Sequence, residues 1–288
     1  LKARDEIPGF LLFADVSRRG GVNFLDLVPA VIGLVVGVVV GLTSTGGGAL
    51  LTPALILLLG VPPGLAVGTD VLIASGMKLV GSGFYSRRGH VHFPTVLRLA
   101  AGSLPGAGVG LLLLRSVPAQ SLDGFLRGAL GVALLMAGGA TLLRLRRAEG
   151  PLVRSAPRTP VTVALGFLTG VLVSVTSIGS GSLLLCVLAL FFPLSAPTMV
   201  GTDLAHALLL STAAALGHLA AGRVDFALAG GVLLGALPGV WLGARFATAV
   251  PERALRIGLA ALLLLTGLNL SLTSGSATRP ATAQEVRR

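Results

Sequence analysis

The sequence predicts an all-α, polytopic membrane protein of two fused repeats, each with about four spans plus a short half-helix or re-entrant segment. Three observations lead there. Hydrophobic residues fill 53% of the 288 positions and charged residues only 11%, whereas a soluble domain carries about one quarter charged. The apolar residues run in stretches near the roughly 20 residues that a helix needs to cross a bilayer. The second half of the chain also repeats the first at an offset of 133 residues. This profile excludes an ordinary soluble enzyme, a disordered chain and a disulfide-rich secreted module. Glycine, at 41 residues, has no Gly-X-Y period and suits helices packed backbone to backbone in lipid.

Residues 1–24 are mixed and polar, with Arg18 and Arg19 near the first span and a short interfacial helix expected around Phe10 to Phe13. The basic-then-apolar pattern of a cleaved leader is missing, so the first apolar segment reads as a retained span. The first membrane repeat occupies 25–143, with spans at 25–45, 65–85, 93–114 and 120–143 and a short segment at 49–59. A basic linker, 144–159, carries Arg144, Arg146, Arg147, Arg154 and Arg158 against Glu149. The second repeat, 160–270, has segments near 161–175, 182–192, 199–219, 226–246 and 253–270, followed by a polar tail at 271–288. The segments 49–59 and 182–192 are too short to cross alone and read as half-helices.

The repeat is residue-specific. Thr43-Ser44 matches Thr176-Ser177, Gly68-Thr69-Asp70 matches Gly201-Thr202-Asp203, and Pro105-Gly106 matches Pro238-Gly239. No gap is needed across about eighty positions, which points to duplication and fusion, common in transporters. Arginines favour the cytoplasmic side. With the N-terminus inside, Arg87, Arg88, the linker, Arg223 and the C-terminal arginines also lie inside, and Arg115, Arg245, Glu252 and Arg253 lie outside. Four spans per half then make the repeats parallel, related by an axis along the membrane normal; a full crossing by 49–59 would instead invert the repeats and put the linker outside, against its charges. The formal charge of +11 is a topology signal rather than a nucleic-acid footprint, because no basic face is mixed with aromatics.

Chemistry is expected at the two glycine-rich breaks. Thr43, Ser44, Thr45, Gly46, Gly47 and Gly48 precede the first short segment; Thr176, Ser177, Ile178, Gly179, Ser180, Gly181 and Ser182 form the matching second break, and Thr69 and Thr202 of the Gly-Thr pairs are further expected substrate contacts. Successive glycines disfavour helix and free backbone groups that protein, water or ligand must satisfy within the bilayer. Each following half-helix turns its N–H groups and positive dipole end toward the break, which favours an anion. By contrast, Gly33, Gly37 and Gly41 line one helix face at four-residue spacing and read as packing glycines. Asp70 and Asp203 follow Gly-Thr at the expected start of a full span. Capping of their own helices and a coupling role are both open to them. Lys78 sits mid-span, about 12 Å along the helix from Asp70. It can contact substrate or pair with Asp203 across the repeats. His206 shares a helix face with Asp203 and suits a proton relay. His90, His92 and His218 are expected at the interfaces. Cys186 is the only cysteine and reads as a small buried hydrophobe. No metal-ligand spacing, cofactor motif or catalytic constellation emerges.

The first-half stretch GLVVGVVVGLTSTGGGALLTPALILLLGVPPGLAVGTD and its partial copy GFLTGVLVSVTSIGSGSLLLCVLALFFPLSAPTMVGTD resemble the TauE/SafE sulfite-exporter family over about residues 25–270. The shared features are a small-residue helix entering a glycine cluster, a proline-bearing half-helix, the Gly-Thr turn and a late Pro-Gly-x-x-x-Gly. The family motif falls on Gly46, Gly47, Gly48, Pro53, Gly68, Thr69 and Pro105, and on Gly179, Gly181, Gly201, Thr202 and Pro238. In the second copy Cys186 replaces Pro53 and Ser180 replaces Gly47, and the aspartates after Gly-Thr depart from the family pattern. The resemblance implies a secondary transporter of sulfite, sulfonates or related anions in the prokaryotic inner membrane, with proton coupling. The expected partners are a small anion, protons and the lipid bilayer, with no nucleic acid. An anion channel and a non-transporting assembly protein are the competing classes.

Overall fold

The computed structural model describes residues 24–43, 47–146, 157–246 and 252–274. The interfacial helix expected near Phe10, most of the basic linker and nearly all of the tail lie outside them. Ten helices occur among the described residues: α1 (Phe24–Thr43), α2 (Gly48–Leu59), α3 (Pro63–Arg87), α4 (Phe93–Ser116), α5 (Ala119–Arg146), α6 (Thr159–Thr176), α7 (Leu183–Phe191), α8 (Ala196–Ala220), α9 (Phe226–Phe246) and α10 (Glu252–Ser274). Proline stands in the first turn of α3, α4, α6 and α8, where its missing N–H leaves no bond unmade. Gly60 ends α2 in the left-handed conformation, its N–H returning to the Leu55 carbonyl, so the chain can turn at once into α3.

Helices α3, α4, α5, α6, α8 and α9 are long and apolar enough to cross a membrane. The two other full spans expected from the sequence, α1 and α10, contribute shorter apolar stretches, Leu27–Leu42 and Ile257–Thr273. As expected, α2 and α7 are short, at 12 and 9 residues.

Glycine faces set the closest helix pairs. A Cβ on Gly33 or Gly37 would overlap the backbone of Val232 and Ala236, and one on Gly235, Gly239 or Gly243 would overlap that of Ala30, Leu34 and Val38. The packing role expected for Gly33 and Gly37 is thus seen in the α1–α9 contact. The equivalent pair, α4 with α6, meets the same way through Gly102, Gly106, Gly166 and Gly170 against Val163, Phe167, Leu99 and Ser103. Contact numbers rise together in both pairs, so each pair is parallel.

Helices that are equivalent in the two halves run antiparallel. Along α3 and α8, Gly68 meets His218, Gly81 meets Leu204, and Tyr85 meets Gly201. Along α5 and α10, Gly131 meets Ser271 and Gly138 meets Leu264 and Ala260. The operation that exchanges the halves therefore reverses their direction through the membrane, and the expectation of parallel repeats is overturned. The reason lies at α2. Helix α9 runs parallel to α1, and also to α3, through Thr69 with Asp225 and Gly76 with Leu233. Helices α1 and α3 thus start from the same side, and the break with α2 carries the chain back. Arginine counts are blind to that return. The end of α5 and the start of α6 now lie on the side of Arg87, Arg88 and Arg245, opposite both Arg223 and the N-terminal end of α1.

Candidate functional site

The two breaks meet at the centre of this arrangement. A Cβ on Gly48, the first residue of α2, would overlap the Ser177 carbonyl and crowd its hydroxyl. Only glycine allows the first half-helix to touch the second break so closely. That break is held in left-handed backbone: Ser177 has φ 60°, Gly179 140° and Gly181 89°. Thr176 braces it, with its hydroxyl between the Leu172 carbonyl at 2.7 Å and the Ile178 N–H at 3.2 Å. Thr176 is thus committed to the loop. The side chain of Thr43, and residues Ser44, Thr45 and Gly46, lie outside the described residues.

Charged side chains converge on the junction from α3 and α8. Lys78, 5% exposed, donates from Nζ to Ser180 Oγ at 2.7 Å. Its ammonium lies within electrostatic reach of Asp203 and Asp70. Asp203 Oδ1 accepts the Gly181 N–H at 3.2 Å. A protein carboxylate thus occupies one of the backbone donors expected to face an anion. Asp70 is fully buried, and its Oδ2 accepts the Thr52 hydroxyl of α2. Neither aspartate caps its own helix. Helix α3 begins at Pro63 and α8 at Ala196, with Pro62 and Ser195 as the flanking residues. Both carboxylates therefore sit two turns inside, and the capping alternative falls.

His206 is buried one turn beyond Asp203, and its Nε2 lies 2.8 Å from Ser103 Oγ of α4. Its Nδ1 has no partner. His218, expected at the interface, is instead fully buried, with Nε2 2.8 Å from the Ser174 carbonyl. His218 does lie in the last turn of α8, but the neighbouring helices cover it. Cys186 is buried, as expected of a small hydrophobe.

Thr69 and Thr202, expected as substrate contacts, hold hydrogen bonds between the two halves. Thr69 Oγ1 accepts the Asp225 N–H at 3.0 Å, and Thr202 Oγ1 accepts the His92 N–H at 2.9 Å. Gly68 and Gly201 pack against the Arg223 and His90 carbonyls. Each Gly-Thr pair therefore clasps the helix-connecting turn of the opposite half. The matched residues point to a shared structural duty, and Asp70 and Asp203 alone of each triplet turn toward the junction.

Thr52 and Ser103 join the site without having been singled out in the sequence. Thr52 had a legible signal: it is the only polar side chain in α2, and its repeat mate is Leu185. Ser182 Oγ is buried at the start of α7 without a partner, as is Ser177 Oγ beside the Asp70 carboxyl. The arrangement gathers one ammonium, two carboxylates, an imidazole and several hydroxyls at the meeting point of two broken helices. Such a site can hold a small ion and exchange protons. Among the described residues no group of three or more His, Cys, Asp and Glu is placed to hold a metal.

Comparison with known proteins places this geometry in context. The family model described as sulfite exporter TauE/SafE matches residues 29–270. The probable membrane transporter protein YjnA of Bacillus subtilis is 39% identical over 246 residues, covering 83% of this chain and 96% of the relative. YdhB of the same organism, also a probable membrane transporter protein, is 26% identical over 222 residues, 76% of this chain and 89% of its own. A probable membrane transporter protein of Xylella fastidiosa is 28% identical over 223 residues, 75% and 82% of the two chains. No solved structure gives a significant match.

Proposed function

The chain belongs to the TauE/SafE sulfite exporter family, and from that premise we propose that it carries sulfite, a sulfonate or a related small organic anion across the prokaryotic cytoplasmic (inner) membrane. It is a multi-pass membrane transporter, not an enzyme. The reading is of a secondary carrier driven by protons, with the anion between the two breaks. The carrying observation is Lys78: a mid-membrane ammonium, held at the second break by Ser180. A buried cation in a span needs a function or a partner, and an anion at the half-helix starts supplies both. Gly47, Gly48, Ser177, Gly179, Ser180 and Gly181 would line the anion, with Ser44, Thr45 and Gly46 contributing from the first break. Asp70, Asp203 and His206 would couple it to protons. Antiparallel repeats with broken helices meeting near mid-membrane support alternating access around one site.

Uptake into proteoliposomes, scanned across sulfite, sulfate, thiosulfate, sulfoacetate and taurine with and without a proton gradient, tests this reading. Saturable flux of at least one sulfur anion that rises with the gradient is the expected result. Linear, gradient-independent flux would favour a channel, and no flux of any of them would remove the substrate class.

A further inference from the structure

The clasp between the halves is symmetrical. Gly68 packs on the Arg223 carbonyl and the His218 Cβ, and Gly201 packs on the His90 carbonyl and the Tyr85 Cβ. The Arg223 N–H donates to the His218 carbonyl at 2.9 Å, and the His90 N–H to the Tyr85 carbonyl at 3.0 Å. Each residue of one set stands 133 positions from its mate in the other. Because the halves are antiparallel, His218 marks the Arg223 face of the membrane and Tyr85 the opposite face.

The symmetry stops beyond the clasp. His218 is fully buried, and its Nε2 lies 2.8 Å from the Ser174 carbonyl of α6. A carbonyl only accepts, so Nε2 carries the proton and donates. A Cβ on Gly217 would overlap the Leu111 side chain of α4, and the Arg223 guanidinium donates to the Leu114 carbonyl at 3.5 Å. The outer end of α8 is thus tied to α4 and α6, one turn from Ser177 of the second break. The mates of these residues keep looser company. Tyr85 is half-buried, and among the described residues its hydroxyl makes no bond that corresponds to that of His218. Phe84, the mate of Gly217, is 52% exposed, with the Arg88 guanidinium 4.0 Å over its ring. Gly41, the mate of Ser174, lies in the last turn of α1, where a helix carbonyl has no N–H of its own helix to accept from.

We infer that His218 is the latch that shuts the site toward the Arg223 face, and that Tyr85 is the matching latch of the opposite face, its hydroxyl donating to the Gly41 carbonyl when the carrier turns over. The inference rests on the carrier reading above and names the residues that close each side. Helices α3 and α8 are joined by the clasp and move together, so closing one end opens the other. In an antiparallel repeat, exchanging the conformations of the two halves carries the same contacts to the opposite face. His218 and Tyr85 each hold a single ring-borne donor at matched positions, which suits them to the same task at opposite ends.

Electron spin resonance distances in the purified full chain test this without any substrate. Spin labels on Leu113→Cys with Leu219→Cys report the Arg223 face, and labels on Phe246→Cys with Ser86→Cys report the other. The four positions are exposed, and the two pairs are mates at the 133-residue offset. The parent should show mainly a short distance for the first pair and a long one for the second. His218→Ala should raise the fraction in which the two distances are exchanged by roughly fivefold or more, the worth of one buried hydrogen bond. Adding Tyr85→Phe should reverse most of that rise. An exchanged fraction unmoved by His218→Ala, or raised further by Tyr85→Phe, would overturn the latch assignment and leave the carrier reading standing. One fixed distance for each pair in every variant would remove the carrier reading and the latches with it. Should His218→Ala fail to fold, a Leu111→Cys, Gly217→Cys disulfide decides: its oxidation should abolish the exchanged fraction at both faces, and an exchanged fraction that survives it overturns the inference.

Discussion

The ammonium of Lys78 in the first half donates to the hydroxyl of Ser180 in the second half across 2.7 Å, with both side chains buried. The residue that matches Ser180 in the first half is Gly47, and the one that matches Lys78 in the second is Ser211. This contact is therefore made once in the molecule rather than twice, and a single positive charge serves the site that both halves build.

Lys78→Met should keep the length and apolar stem of the side chain and remove its charge. A hydrogen bond to a charged group contributes about 1.5–3 kcal/mol, equivalent to roughly tenfold to hundredfold in affinity. Anion affinity of the purified variant should fall by that factor while membrane insertion and folding persist. Ser180→Ala should weaken binding only several-fold. Parent-like uptake kinetics in Lys78→Met would leave the lysine a purely structural role.

Gly48 and Gly47 should respond differently to the same methyl group. At Gly48 the new Cβ would strike the Ser177 backbone, whereas at Gly47 it would chiefly meet the flexible Cε end of Met77. Gly48→Ala should abolish most flux and lower stability by about 1–3 kcal/mol, and Gly47→Ala should do much less. Gly37→Ala, against the Ala236 backbone, should lower thermal stability while the folded fraction keeps its anion affinity. Binding measured in detergent on the folded fraction of each variant separates these outcomes.

The turn after α3 and the turn after α8 should lie on opposite faces of the membrane. The native Cys186 is buried, so single cysteines at Ser86 and Ala221, both exposed, report cleanly. The linker arginines, with Arg87, Arg88 and Arg245, mark their face as cytoplasmic. Ser86→Cys and Ser155→Cys should therefore resist an impermeant maleimide in intact cells, and Ala221→Cys should react. Protection of Ala221→Cys together with Ser86→Cys would restore parallel repeats.

Thr69→Val and Thr202→Val should be destabilising in similar measure, because each removes one clasp between halves. Loss of a single buried hydrogen bond costs about 1 kcal/mol, more where the N–H is left unpaired. Thermal unfolding should register similar decreases for the two variants. A drop in anion affinity without loss of stability would move these threonines from the clasp to the binding surface.

The sequence by itself determined the all-α membrane class, the helix positions, the packing glycines and the two breaks. These follow from properties local to the chain: runs of apolar residues, proline and glycine punctuation, and a fixed offset between halves. It also isolated Lys78 and the paired aspartates, because charge within a span is costly wherever the helix is placed. Only the tertiary structure decided the rest. Whether α2 returns to the side where α1 began depends on helices more than a hundred residues away, and that return made the repeats antiparallel. The tertiary fold assigned the threonines of the Gly-Thr pairs to clasping and their aspartates to the junction, since neighbouring positions on a helix face different ways.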